Sequence, residues 1–422
     1  MFREILNTIG TKIASAVIAL LILILTTQFL GADGRGLVSL IYSSIGIIGI
    51  FAGFVGGPAL VYLAAKEKTQ YLILPIYVWS FVISLIGALV IVLLRIIPIF
   101  YFIPVLILSV TSSVYLANLY ILVGQKRIVS QNYIYLFQWF MNFFILGIFF
   151  TGFNLISVDY VILALFTSNS FGLLLTFKEL KMTKNLTQFD WSEENDVIRT
   201  IVKYSFFAQA AAVMYYLYYR FGLFMLNYYS GLFSVGVYSV GVNLSDFILL
   251  ASQSIALVVY SRVSNITDVE YSKRITIQLA KFSFLIVLGI SMLMVILPAW
   301  LYSLVFGSDF SSVQSILITI SPGIIAFGTT IVIFNYFAGI GKNHINAGAV
   351  FVGLCVNIGL SYLLIPVYGV YGAGISASIS YIFTSLILIG LFLRETNLHV
   401  GDFYLRKEDI TYLFFKIEEL LS

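Results

Sequence analysis

Apolar runs long enough to cross a bilayer succeed one another along nearly the whole chain, and the basic residues gather at alternate gaps between them. Of 23 Lys and Arg, 18 lie at one set of gaps, from Arg3 and Lys12 through Lys66, Lys126, Arg127, Lys178 and Lys273 to Lys342, Arg394 and Lys416. The opposite gaps hold only Arg35 and Arg95. Short loops rich in Lys and Arg stay on the cytoplasmic side, so this asymmetry predicts a multi-span membrane protein with both termini in the cytoplasm. A composition 60% hydrophobic and 10% charged, with mean hydropathy +1.02, excludes a water-soluble globule. The net charge of +4 is then loop charge at a membrane surface rather than a nucleic-acid footprint.

A span needs about 20 apolar residues at ~1.5 Å each. On that basis residues 13–30, 37–65, 71–94, 99–123, 131–150, 155–177, 201–228, 233–261, 279–304, 313–338, 345–366 and 370–393 predict about 12 transmembrane helices, an all-α integral membrane fold. The first run resembles a signal peptide but is long enough to span. No small-x-small cleavage pattern follows it, and it reads as a retained helix. Loops on the opposite side, such as Thr151–Ser157, Asn227–Gly231, Gly307–Phe310 and Pro366–Tyr371, are short and lack Lys and Arg. The polar stretch Lys178–Thr200, with Asp190, Glu193, Glu194 and Asp196 in its acidic half, reads as a linker. The expected organisation is a six-helix bundle over 1–177, a cytoplasmic linker over 178–200, a second six-helix bundle over 201–394 and a tail over 395–422. In the tail, Ile410, Leu413, Phe414, Ile417 and Leu420 fall at helical spacing, which predicts a cytoplasmic interfacial helix. The lone Cys355 cannot close an intramolecular disulfide.

The halves look like repeats. Asn118-Leu-Tyr-Ile-Leu-Val-Gly124 reads like Asn335-Tyr-Phe-Ala-Gly-Ile-Gly341, Gly152 falls on Gly369 at the same offset, and Gly36-Leu-Val-Ser39 resembles Gly231-Leu-Phe-Ser234. Duplicated bundles of this kind suit alternating access around a central cavity.

Little in the chain supports catalysis. His344 and His399 stand singly, and there is no zinc spacing, phosphate-loop pattern or nucleophile with a nearby base. Gly31-x-x-Gly34-x-Gly36 reverses the dinucleotide fingerprint and lies between spans. A protein without a nucleotide site transports on an ion gradient or on the substrate's own gradient.

Charges inside spans cost about 2.5–3.5 kcal/mol each on insertion scales and usually face a bundle interior or aqueous cavity. Lys203 and Lys281 sit near the cytoplasmic ends of their spans, where snorkelling accounts for them. Arg220 lies about 10 Å inside span seven and Asp246 about 16 Å inside span eight at helical rise. Two readings stand: a structural ion pair joining adjacent helices, or a cavity-facing pair. In the second, guanidinium binds phosphate bidentately and the tyrosines of Tyr215-Tyr-Leu-Tyr-Tyr-Arg220 offer faces and hydroxyls to sugars. The candidate substrate-binding set is Arg220, Asp246, Tyr216, Tyr219, Lys203, Lys281 and Arg35. No catalytic residue and no metal ligand is assigned.

An ordered series of segments extends this reading. Tyr218-Tyr-Arg220, Val235-Gly-Val-Tyr-Ser239 before Asp246, Leu297-Pro-Ala-Trp300 with Phe306-Gly-Ser-Asp-Phe310, Ser321-Pro-Gly323, Asn335 through Lys342 and Ile365-Pro-Val-Tyr-Gly-Val-Tyr-Gly-Ala373 together resemble the polysaccharide transporter family. These are the Wzx-type O-antigen flippases of the multidrug/oligosaccharidyl-lipid/polysaccharide exporter (MOP) superfamily. The resemblance covers nearly the whole chain, including Leu30 through Gly36. It implies a V-shaped pair of six-helix bundles, like that of multidrug and toxin extrusion (MATE) transporters, in a bacterial inner membrane. It also implies transport of undecaprenyl-pyrophosphate-linked oligosaccharide to the periplasmic leaflet for surface polysaccharide biosynthesis. The partners implied are that lipid-linked oligosaccharide, the bilayer and polysaccharide polymerase machinery, with no nucleic acid and no cofactor. The coupling ion, proton or sodium, is not specified. The chain departs from the family where an acidic residue often follows the span-seven arginine, since Gly222 is there, and where Ser261 replaces a common proline.

The main alternative is a MATE-type cation-coupled antiporter, which needs a buried carboxylate, typically in its first span, where this chain offers only Gln28. A membrane polymerase or ligase would carry a large periplasmic loop, and the loops here are short. A structural scaffold has no use for intramembrane charge.

Overall fold

The computed structural model describes residues 2–57, 59–64, 69–180, 191–265 and 268–404, and the side chains at those positions except 2–6, 9, 59, 69–72 and 191–204. Among the described residues eleven α-helices follow in order: α1 (Phe2–Gly56), α2 (Ala59–Leu63), α3 (Thr69–Leu93), α4 (Phe102–Gly124), α5 (Ile128–Gly147), α6 (Val158–Leu180), α7 (Trp191–Asn265), α8 (Val269–Ile296), α9 (Ala299–Phe306), α10 (Val313–Gly339) and α11 (Asn343–Thr396). Among the described residues nine helices are long and apolar enough to cross a membrane. This is a multi-pass, all-helical membrane protein.

Three of the nine are far too long for one crossing: α1, α7 and α11 have 55, 75 and 54 residues. Each breaks once, at Gly31 (φ 65°, ψ −171°), Gly231 (φ 77°, ψ −177°) and Gly369 (φ 54°, ψ −127°). At Gly31 and Gly231 a side chain would clash with its own backbone in that conformation, so glycine lets the chain double back without a loop. Counting α1, α7 and α11 twice gives twelve segments, the number expected from the apolar runs.

The chain forms two compact units. The first comprises residues 1–216, 231–236 and 305–309; the second comprises 217–230, 237–304 and 310–422. They part inside α7, at Tyr216–Leu217. Of the expected linker and tail, residues 181–190 and 405–422 lie outside the described residues.

In the first unit α1 packs on α3, α4 and α5, and α6 packs on α4 and α5. One apolar cluster joins Val55, Ile73, Ile76, Tyr115 and Ile121, and another joins Ile22, Val38, Leu146, Phe150 and Val161. Lipid is as apolar as these clusters, so close packing and buried hydrogen bonds bind the helices together. Tyr77 Oη donates to Asn118 Oδ1 (2.9 Å), whose Nδ2 donates to Thr176 Oγ1 (3.0 Å). Gln138 Nε2 donates to Asn169 Oδ1 (3.0 Å), and Asn169 Nδ2 to Ser112 Oγ (2.8 Å). In the second unit α10 is the central helix, packed on α8 and α11. Its most apolar window is 72% buried, against 28–44% for the other eight. Ser283 Oγ donates to Ser252 Oγ (2.7 Å), and Thr330 Oγ1 to Ser385 Oγ (2.6 Å).

The turns reveal a repeat whose register differs from the one suggested by residue identity. Left-handed residues recur in matching order through the halves: Gly31 with Gly231, Arg95 with Gly307, Lys126 with Gly341, and Asn154 with Gly369. The residue after the third pair caps the next helix in the same conformation, Arg127 at φ −96°, ψ 46° and Lys342 at φ −95°, ψ 45°. Each then pairs with a glutamate in the last turn of a helix, Arg127 with Glu179 at the end of α6 and Lys342 with Glu395 at the end of the second arm of α11 (2.7 Å). The expected matches are therefore corrected: Gly341 corresponds to Lys126 rather than Gly124, Gly369 to Asn154 rather than Gly152, and Gly231 to Gly31 rather than Gly36.

Candidate functional site

The break at Gly231 folds α7 back on itself and brings Arg220, on the arm before it, beside Asp246, on the arm after. Arg220 Nη2 donates to Asp246 Oδ2 at 2.9 Å. Both residues belong to the second unit. The side chains keep 24% and 41% of their exposure, so the pair lies at a surface of that unit rather than sealed in its core. The charge-assisted bond fixes the guanidinium plane, and the exposure leaves the pair open to an approaching anion or hydroxyl.

Tyr238 stands beside it, within electrostatic reach of both charges. It lies eight residues before Asp246, about two helical turns, and so shares its face. Its hydroxyl is 3.3 Å from where a Cβ on Gly222 would be. Glycine at position 222 thus makes room for this ring. Tyr238 is buried, with its hydroxyl donating to the Ala373 carbonyl at 3.5 Å, so it supports the pair from the interior; its spacing from Asp246 is the sequence signal for it.

Behind the pair lies an aromatic cluster. Tyr219 contacts Tyr218, Phe327 and Tyr381 with ring centroids 5.6, 5.7 and 5.9 Å apart. Tyr218 is fully buried and donates to Thr384 Oγ1 at 2.9 Å, while Asn357 Nδ2 donates to the Tyr218 carbonyl at 2.9 Å. Tyr218, Phe327 and Tyr381 therefore form a rigid backing, and half-buried Tyr219 is the ring of this cluster next to Arg220 in the chain.

The other candidates are dispersed. Tyr216 belongs to the first unit, where its hydroxyl donates to the Ser43 carbonyl at 2.8 Å and stands over Gly46. Arg35 is in the same unit, 5% exposed, with Nη1 donating to Thr26 Oγ1 at 3.2 Å. It is an interior residue on the second arm of α1. Lys281 is 8% exposed on α8, against the expectation of a snorkelling side chain, which would reach water. The side chain of Lys203 lies outside the described residues.

No protein-family model matches the sequence. A 160-residue stretch, 37% of this chain, is 25% identical to the uncharacterized membrane protein MJ1068 of Methanocaldococcus jannaschii, and the match spans about a third (32%) of that protein. Solved structures align over almost the entire length. The Vibrio cholerae MATE transporter VcmN superposes with a TM-score of 0.63 at 15% identity, covering 96% of this chain and 98% of that one. The lipid II flippase MurJ in its inward closed conformation gives 0.67 at 13% identity, covering 96% and 89%. A Pyrococcus furiosus MOP-superfamily transporter, described as having a binding pocket of reversed polarity, gives 0.62 at 13% identity, covering 93% and 94%. The protein has the fold of the MOP-superfamily transporters.

Proposed function

We propose that this protein is a flippase that moves a polyprenyl-pyrophosphate-linked oligosaccharide from the cytoplasmic to the outer leaflet of the cell membrane by alternating access, for surface polysaccharide assembly. The observation that carries the reading is the part-exposed Arg220–Asp246 pair beside Tyr219 and Tyr238, on a fold shared with a lipid II flippase. A pyrophosphate and several sugars cannot cross about 30 Å of hydrocarbon unaided. Arg220 offers charge-assisted bonds to phosphate oxygens, Asp246 accepts from sugar hydroxyls, and half-buried Tyr219 provides an aromatic face for a sugar ring. The repeat-unit lipid, the bilayer and the polymerase machinery are the partners of this reading, and its site is the bacterial inner membrane.

A deletion strain tests it. Lipid-linked repeat units should accumulate, accessible on the cytoplasmic face in inverted vesicles, and mass spectrometry of the lipid extract identifies them. Normal delivery to the outer leaflet contradicts the reading.

A second reading, cation-coupled drug antiport, is favoured by the 41% exposure of the Asp246 side chain together with the likeness to MATE transporters. It predicts sensitivity to cationic drugs in the same deletion strain, with lipid-linked intermediates unchanged.

A further inference from the structure

A groove opens between α4 and α6 at the end of the first unit opposite the basic loops. It has a volume of about 490 Å³ and is lined by Ile107, Leu108, Leu163 and Phe166, with Asp159 and Tyr160 at its mouth. Deeper in the membrane the two helices are tied by the Asn169–Ser112 and Asn118–Thr176 hydrogen bonds.

The second half provides an internal control. Lys126 to Gly341 and Asn154 to Gly369 are both 215 positions apart. At that offset Leu108 corresponds to Gly323 and Leu163 to Ser378, and there the Gly323 N–H donates directly to Ser378 Oγ at 2.7 Å. Likewise Pro104 corresponds to Thr319 and Asp159 to Gly374, and in the second half a Cβ on Gly374 would collide with Thr319 Oγ1. Where the second half closes helix on helix, the first half substitutes bulky apolar residues and stays open. At these positions the second half closes the space that the groove occupies in the first, so the repeated fold does not require it.

Its chemistry identifies an occupant. Ile107 and Leu163 are 44% and 42% exposed on membrane-crossing helices, so a hydrocarbon chain is what meets them. Asp159 lies in the first turn of α6, at the level of lipid headgroups, with the Tyr101 hydroxyl in hydrogen-bonding reach. A carboxylate at the mouth repels a purely anionic headgroup and attracts an ammonium.

We propose that the groove binds one chain of a membrane lipid whose headgroup carries a protonated amine, held by Asp159. The test uses delipidated full-length protein and native mass spectrometry with phosphatidylethanolamine and phosphatidylglycerol of identical chains. The amine lipid should be retained about tenfold better, equivalent to one strong polar contact. Asp159→Asn, a change at an exposed residue, should abolish that preference without reducing retention of phosphatidylglycerol. Leu163→Trp or Ile107→Phe, which fill the groove, should reduce retention of both lipids. Equal retention by the unmodified protein, a preference for phosphatidylglycerol, an Asp159→Asn variant that keeps the preference, or groove-filling variants that retain both lipids as before overturns the proposal. None of these readouts involves transport, so the outcome is separate from that of the flippase reading.

Discussion

Gly36 and Gly236 stand in a reciprocal contact within the first unit: a Cβ on Gly36 would collide with the Leu232 carbonyl oxygen, and a Cβ on Gly236 with the Ala32 carbonyl oxygen. Each glycine lies five residues after a break, Gly31 or Gly231, so the same hairpin geometry occurs twice and each copy touches the other's backbone. Small residues let membrane helices approach this closely.

Gly36→Ala and Gly236→Ala should each lower thermal stability in detergent by the equivalent of about 1–3 kcal/mol, because the obstacle is backbone and not a side chain that can rotate away. Gly348 and Gly359, in helix with open space within 4 Å of where a Cβ would stand, are the controls. Alanine there should be neutral or stabilising by about 0.5–1 kcal/mol. Equal destabilisation at all four positions would show that the carbonyl contacts are not the cause.

Asp309 caps the second arm of α1, its Oδ2 accepting from the Ala32 N–H at 3.0 Å just past the Gly31 break. Asp309→Ala removes the acceptor and should cost about 1 kcal/mol, as loss of an N-cap does. Asp309→Asn retains an oxygen there and should cost less. Thermal unfolding of the two variants side by side gives the order, and a more damaging asparagine would contradict it.

The Arg220–Asp246 pair separates a working role from a structural one. At 24% and 41% exposure its bond contributes about 0–1 kcal/mol to stability after solvent screening. Arg220→Gln and Asp246→Asn should therefore leave abundance in the membrane close to normal while surface-polysaccharide assembly fails. If both single variants vanish from the membrane and the double variant returns, the pair is structural.

Topology follows from the basic loops. A reporter fused at Lys184 should read cytoplasmic and one at Asp309 should read on the opposite face, while fusions after Phe150 and Gly369 should agree with Asp309. Like readouts at Lys184 and Asp309 would overturn the orientation.

Much of the fold was legible because span length and hydropathy are local properties. The pairing of Arg220 with Asp246 was legible too, since an intramembrane charge needs a partner and the adjacent span held one. The repeat register was harder to read. At matched turns the first half uses Arg95, Lys126 and Asn154 where the second uses Gly307, Gly341 and Gly369, so backbone conformation persisted while residue identity did not. Aligning glycines misplaced the register by two residues at two turns and by five at the first. The tyrosines show a further limit. Helical period says which residues share a face, but not which neighbour that face meets, and so Tyr216 and Tyr219 were grouped although Tyr216 bonds to Ser43 in the first unit. The burial of Arg35 and Lys281 was not legible for the same reason, because a position near a span end does not reveal what packs over it.

The most direct test of the central claim is translocation by the purified protein in liposomes. A polyprenyl-pyrophosphate oligosaccharide placed in one leaflet is scored by its exposure to an added glycosidase on the other side. The account predicts that the unmodified protein transfers the lipid-linked sugar while Arg220→Gln and Asp246→Asn do not. Absence of transfer by the unmodified protein, together with sodium- or proton-driven export of a cationic dye from the same vesicles, would contradict it.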